Sequence, residues 1–248
     1  IAARGTAATT ARFLPARARS VCSPRRVSVP ASATEPTGIE LAYETADWKP
    51  SAGGCITAAL YEGYALQSIR IAGSQAHPTR LVQSAAMASV APPKPTYRPH
   101  LPASAGDRGF LSDAQLESVI YAGEAHAGHL AGSWTVDETF DVVSAAPDDA
   151  EHAVRFRRGW MLGDGTGAGK GRQVAGIILD NWLKGRRRAI WISKSDKLIE
   201  DAQRDWSALG QERLLVTPLA RFRQGTPIQL EQGILFATYA TLRTDARE

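Results

Sequence analysis

Residues 163–172 read GDGTGAGKGR, five glycines arranged around Lys170. Glycine takes positive φ at no steric cost and lets backbone N–H groups approach an anion closely. A helix starting behind such a loop adds roughly half a positive charge at its N-terminus. These residue types in this order suit a cradle for a di- or triphosphate, with Lys170 reaching the β- and γ-phosphates. A glycine-rich turn without a ligand is the plainer alternative, and it leaves the lysine without a purpose.

The common phosphate-loop pattern is G-x-x-x-x-G-K-[ST], and this chain departs from it twice. Asp164 stands where the first glycine belongs, and Gly171 where the magnesium-binding hydroxyl belongs. Without that hydroxyl, Mg²⁺ has to be held by the nucleotide phosphates, by waters and by a later acidic motif. Thr166 lies within the loop but out of position for the task.

The neighbouring elements are those such a loop needs. Trp160-Met161-Leu162 reads as a short apolar strand, and 172–184 as a helix with Val174, Ile177, Ile178 and Leu183 on its apolar side. Gly185 follows as a C-cap, with Lys184 well placed in the last turn. Beyond lie a buried strand at 188–193, a helix at 196–209 ended by Gly210, and strands at 214–216 and 233–238, these last two separated by a polar stretch at 221–227. Strands alternating with helices predict a parallel sheet flanked by helices, with the ligand at the carboxyl ends of the strands. The expected fold class is α/β, a RecA-like P-loop NTPase core.

Upstream, 112–129 reads as a helix with Leu111, Leu116, Val119, Ile120 and Ala122 apolar and Ser112 or Asp113 as its cap. VAPPKPTYRPHLPAS, residues 90–104, holds five prolines, forbids regular helix and reads as an extended connector at a domain boundary. Before it, 39–44 alternates like a half-buried strand and 56–66 suggests a helix. Residues 1–34 carry Arg4, Arg12, Arg17, Arg19, Arg25 and Arg26 with no acid before Glu35, a composition expected of disorder, of a transit peptide or of a nucleic-acid-binding tail. The expected organisation is a disordered basic segment at 1–37, an accessory region with its connector at 38–104, and an incomplete RecA-like domain at 105–248.

Composition sets looser bounds. A hydrophobic content of 44% suits a buried core, and a net charge of +4 with a pI near 9.2 is compatible with nucleic acid. Cys22 and Cys55 are too few for a disulfide scaffold or a zinc site, which points to a reducing intracellular setting. No apolar run reaches membrane-spanning length, and no signal-peptide core precedes the first acids. The opening Ile-Ala-Ala-Arg, without methionine, reads as the start of a fragment.

Three further segments lie where a superfamily 2 motor places its motifs. LSDAQLESVIYAGEAHAG (111–128) offers Gln115 near an adenine, WISKSDKLIEDAQRDW (191–206) offers Ser193 and Lys194 to a nucleic-acid backbone, and FATYATLR (236–243) carries Thr238-Tyr239 at a strand end. With HPTRLVQSAAMASVAPPKPTYRPHLP at 77–102, GWMLGDGTGAGKGRQVAGIILDNWLKGRRRAIWIS and GILFATYATL, the chain resembles the strawberry notch family from about residue 75 to 248. The likeness includes the unusual G-K-G-R ending, and it looks closest to the bacterial members. Asp164 at the head of the loop is similar to the D-x-x-G-x-G-K form common among Swi/Snf-type remodellers.

The resemblance implies a helicase-like ATPase using ATP and Mg²⁺ on nucleic acid, DNA before RNA, with transcription or DNA-modification partners. It implies a cytoplasmic setting in bacteria and a nuclear one in animals. It assigns nucleotide contacts to Gln115, Asp164, Gly165, Thr166, Gly167, Ala168, Gly169, Lys170, Gly171 and Arg172, with Lys170 serving catalysis. The acidic motif and the second motor domain that the family would supply are expected beyond Glu248, which would leave the fragment itself without hydrolysis. Leu198-Ile199-Glu200-Asp201 and Ile177-Ile178-Leu179-Asp180 have acidic-motif lettering but fall inside expected helices.

Other residues weigh less. Arg155, Arg157, Arg158 and the run Arg186-Arg187-Arg188 suit phosphates, although the latter sits at a helix-to-strand turn opposite the expected site. Trp160 and Trp191 suit core packing better than base stacking. His126 and His129 share a helix face without the further ligands a metal needs. Ser195 or Asp196 reads as a helix cap. Two readings stay open, a translocase and a nucleotide-binding regulatory scaffold with little turnover, while a small-molecule kinase is disfavoured because Gly171 replaces Ser/Thr.

Overall fold

The computed structural model describes residues 38–49, 60–139, 141–212 and 215–243. Short strands β1 (Ile39–Glu40), β2 (Glu44–Thr45), β3 (Tyr61–Gly63), β4 (Ile69–Arg70) and β5 (Val82–Ser84) come first, then helix α1 (Ala85–Ala88), β6 (His100–Leu101) and α2 (Ser104–Asp107). Helix α3 (Asp113–Ala127) follows, then the hairpin β7 (Ser133–Val136) and β8 (Val143–Ala146). Helix α4 (Lys170–Leu183) begins the alternating part, continued by β9 (Arg188–Ser193), a 3₁₀ turn (Asp196–Leu198), α5 (Ile199–Ser207), β10 (Val216–Pro218), β11 (Gly233–Thr238) and α6 (Tyr239–Leu242).

The expected parallel sheet is present, in the order β10-β11-β9. Fully buried β11 is its centre, which is why 233–238 is an unbroken apolar run apart from its ends. β9 is an edge and only half buried, contrary to the expected buried strand: Trp191 packs inward while Ile190 and Ile192 are exposed. The expected strand at 160–162 does not form. Three apolar residues between Gly159 and Gly163 find no strand to pair with among the described residues, and an unpaired strand leaves its backbone groups unsatisfied. Met161 is exposed, and Trp160 leaves the core to stack on the Tyr121 ring at 6.4 Å.

Further upstream, the alternation at 39–44 resolves into β1 and β2 around buried Tyr43. The helix expected at 56–66 is replaced, where it is described, by β3, whose residues pair with β5 instead of following a helical repeat. The rest of that span, like Cys22, Cys55 and the basic segment at 1–37, lies outside the described residues.

Three helices bury the sheet. Leu116, Val119 and Ile120 of α3, Ala175, Leu179 and Trp182 of α4, and Ala202 and Trp206 of α5 join Val216, Ile234 and Phe236 in one cluster, with Trp182 and Trp206 edge to face at 5.8 Å. α3 and α4 approach closely because Gly176 carries no side chain: a Cβ there would meet Val119 Cγ2 at 2.9 Å and Leu111 Cδ1 at 3.1 Å.

The proline-rich stretch is extended, as expected, and its polar groups tie it to α3 and α4. Glu124 accepts from the backbone N–H groups of Thr96 and Tyr97. Asp180, one per cent exposed, accepts from Tyr97 Oη at 2.5 Å and from the His100 N–H at 2.7 Å, with Lys184 Nζ at 3.1 Å. Burial and Asp180 together hold the Tyr97 hydroxyl well above the usual phenol range, so it stays a donor. Both apolar-then-acidic quartets lie in helical turns, as expected, and Asp180 is committed to this knot. Replacing Asp180 with Ala should destabilise the fold by about 3 kcal/mol, because Lys184 loses a buried partner, and Tyr97→Phe by about 1 kcal/mol. Urea unfolding of both variants checks the order, and equal losses would show that the phenol, not the carboxylate, holds the segment.

Candidate nucleotide-binding site

The glycine loop ends at Gly169, the N-cap of α4, whose φ of 75° and ψ of 42° lie in the left-handed region. Gly167, at φ 94°, turns the same way. These two positions require glycine, and at Gly169 a Cβ would also collide with Gln115 Nε2. No side chain caps α4, so its first N–H groups have no side-chain acceptor and the positive end of the helix faces the loop. Because α4 runs back against β9 across a short turn at Gly185, the loop lies at the carboxyl end of the strands.

The loop is gripped from two helices. Ser112 caps α3 in a capping box with Gln115: Gln115 N donates to Ser112 Oγ, and Gln115 Oε1 accepts from the Ser112 N–H at 3.1 Å. Gln115 Nε2 donates to the Ala168 carbonyl at 3.1 Å. Gln173, one turn into α4 and one per cent exposed, donates to the same carbonyl at 3.2 Å and to Asp164 Oδ2 at 2.9 Å. Asp164, expected to contact the nucleotide, is thus tied to α4 and anchors the first half of the loop. Lys170 Nζ folds over the loop and donates to the carbonyls of Asp164 and Gly165 at 2.8 and 3.0 Å. Thr166 sits exposed in the turn before Gly167.

Sequence reasoning missed Gln173, although a glutamine inward of an otherwise apolar helix face, three residues after the lysine, is a signal that was available. It also missed two acids. Asp205 of α5 lies against Gly171, where a Cβ would collide with its Oδ2, and 3.7 Å from Arg172 Nε. Arg172 itself donates NH1 to the Phe110 carbonyl at 3.0 Å, giving the last residue of the G-K-G-R ending a packing role. Glu117 of α3 is buried and accepts a hydrogen bond from Tyr64 Oη.

Ser193 and Thr238 are paired across β9 and β11 at the carboxyl end of the sheet. Lys194 and Tyr239 follow them, both exposed, while Thr238 is buried and caps α6 through its hydroxyl. Ser195 caps the 3₁₀ turn before α5. Arg157 and Arg158 donate to the carbonyls of His126 and His129, and Arg186 to Asn181 at the far end of α4. Burial and the charges of Arg157 and Arg186 hold His126 below the usual imidazole range. Among the described residues no cluster of His, Cys, Asp or Glu is arranged for a metal ion, and no helix is long and apolar enough to cross a membrane.

Burial, and then the negative charge of Asp164, push the Glu117 carboxyl up to about 7. The fold thus prefers the protonated form, and this contribution is fully present below the unfolded value and lost as pH rises through about 7. Glu117→Gln, which stays neutral, should therefore gain up to roughly 3 kcal/mol on wild type between about pH 5 and pH 8. Thermal unfolding across that range tests it, and a pH-independent gap between the two proteins would remove the buried charge from the account.

Residues 76–248 match the family model described as P-loop containing NTP hydrolase pore-1. Protein strawberry notch of Drosophila melanogaster is 38% identical over 171 residues, which is 67% of this chain and 9% of that protein. The human strawberry notch homolog 1 is 36% identical over the same share of the chain and 11% of its own length. Protein FORGETTER 1 of Arabidopsis thaliana is 34% identical over 170 residues, again 67% of the chain and 11% of the relative. The chain thus spans about a tenth of the curated relatives it matches, and these animal and plant proteins do not show the expected closeness to bacterial members. No solved structure matches. A P-loop model covering more than half the chain and relatives above one-third identity agree with the loop geometry, and the chain belongs to the strawberry notch family.

Proposed function

We propose that residues 163–173 bind the triphosphate of ATP, and that in the whole protein this region is the ATP-binding part of a helicase-like translocase acting on nucleic acid, DNA before RNA. The observation that carries the proposal is the uncapped N-terminus of α4 behind two left-handed glycines, with Lys170 resting on the loop carbonyls that a phosphate-bound lysine would leave. Backbone N–H groups from Gly165 to Gly171 would surround the β-phosphate, and Lys170 would turn outward to the β- and γ-oxygens. Gln115 spends one donor and one acceptor on the protein and keeps one of each for an adenine edge. Mg²⁺, when bound, would neutralise charge between the β- and γ-phosphates. Gly171 offers it no hydroxyl, and an acidic strand-end motif later in the whole protein is proposed to share the task.

Ser193, Lys194 and Tyr239 lie together at the sheet end where a strand of nucleic acid would pass, a hydroxyl and a cation suiting phosphate oxygens and the exposed phenol a base, while buried Thr238, its hydroxyl engaged in the α6 cap, would position Tyr239. An intracellular setting, transcription or DNA-modification partners, and the division at about residue 104 belong to the same proposal. The second reading, a regulatory scaffold that holds ATP with little turnover, is favoured by Gly171 alone.

Lys170→Ala should weaken ATP binding by about 100-fold or more, since it removes the one side-chain charge the loop aims at the phosphates. Equal binding by wild type and variant, read by equilibrium titration with a fluorescent ATP analogue, would sink the site. Gln115→Ala should relax the preference for ATP over GTP in the same titration. ATPase activity of the whole protein with and without single- and double-stranded DNA and RNA separates the two functions: stimulation by one nucleic acid establishes the motor and names its track, and tight binding without stimulated turnover establishes the scaffold.

A further inference from the structure

The residue after a P-loop lysine is ordinarily the hydroxyl that faces the magnesium ion, and here it is Gly171. Backbone conformation does not demand the glycine, because Gly171 is an ordinary residue in the first turn of α4, outside the positive-φ set. Space demands it. A Cβ at that position would collide with Asp205 Oδ2, so a carboxylate oxygen of α5 occupies the volume that a serine or threonine side chain would take. Asp205 is held there half-buried, with the charges of Arg172 and Arg204 opposing the effect of its burial. Its side chain is 19% exposed, and Arg172 Nε lies 3.7 Å from Oδ1, beyond hydrogen-bond reach. The guanidinium is drawn instead toward the Phe110 carbonyl, and its buried Nε has no hydrogen-bond partner.

We propose that Asp205 supplies, from a neighbouring helix, the oxygen that the P-loop hydroxyl supplies elsewhere, and that it faces the divalent cation accompanying ATP. The inference rests on the nucleotide-binding reading above. Mg²⁺ takes oxygen ligands and is commonly held through one or two carboxylates together with phosphates and waters, so a carboxylate suits the position. It differs from a hydroxyl in one decisive way. A hydroxyl is neutral with or without the metal, whereas a carboxylate beside a triphosphate repels it when the metal is absent and joins it through the metal when present. Asp205 thus makes nucleotide affinity conditional on the divalent cation.

The test is affinity for a fluorescent ATP analogue, measured on the full chain in EDTA and in Mg²⁺. Wild type should bind at least about tenfold more tightly with the metal. Asp205→Asn should shrink that ratio from both sides, binding more tightly in EDTA and more weakly in Mg²⁺. The double variant Gly171→Ser/Asp205→Ala should restore the ratio by returning a hydroxyl to the vacated volume. An unchanged ratio in Asp205→Asn, or an equal loss in both media, overturns the proposal, the latter by showing that Asp205 only anchors Arg172 and α5. A wild type that binds in neither medium fails the nucleotide reading itself, which is a distinct result. Should those variants not fold, the conservative Asp205→Glu in protein carrying ¹³C-labelled aspartate carboxyls, with Mn²⁺ and ATP, decides by electron–nuclear double resonance: a coupled aspartate signal present in wild type and lost in Asp205→Glu supports the proposal, and an unchanged or absent signal overturns it.

Discussion

The site depends on the closeness of α3 to α4. Gly176 lets the two helices approach until Val119 and Leu111 fill the space a side chain would need, and only at that separation can Gln115 reach the carbonyl of Ala168. The same glutamine completes the capping box of α3, so the start of one helix and the loop before the next are fixed by one amide. Gln173 repeats the grip from the α4 side. A phosphate loop is mostly backbone, and backbone this rich in glycine has high conformational entropy to lose. Here the loss is met during folding by two buried side chains instead of being left to the ligand.

Three buried or largely buried acids surround this helical layer, and each is held differently. Asp180 is saturated by a phenol, a backbone N–H and an ammonium, which makes it structural. Glu117 has one hydroxyl partner and a negative neighbour, which favours its proton. Asp205 is pushed upward by burial and drawn back by Arg172 and Arg204, and it stands next to the position where the loop lacks an oxygen. Burial alone does not distinguish them; their partners do.

The alternating half of the fold was legible because its signals are local. The apolar run at 233–238, the caps at Ser112 and Gly210, and the glycines before Lys170 each state a conformation within a few residues. The strand at 160–162 was misread because a strand exists only through its neighbours, and no window of sequence shows whether a partner is present. Trp160 followed the same error, since its stacking on Tyr121 is a long-range pairing. At the site, the glycine loop shows in its spacing and Gln115 only through the resemblance to superfamily 2 motors, while Gln173 shows only as a polar residue on an otherwise apolar helix face. Asp205 was beyond local reasoning altogether, because its meaning lies in the empty side of a glycine thirty-four residues earlier in the chain.

Lys170 bonds to two carbonyls of its own loop, so its ammonium is satisfied there, while the first N–H groups of α4 have no side-chain acceptor. A triphosphate entering the proposed site would make the lysine exchange these bonds for new ones, while the helix N–H groups would gain acceptors. The net enthalpy of entry would then be modest, with much of the driving force coming from water and counterions released by the phosphates. The lysine's share of binding is thus a difference between two sets of hydrogen bonds, and the end of α4 supplies the clearer gain.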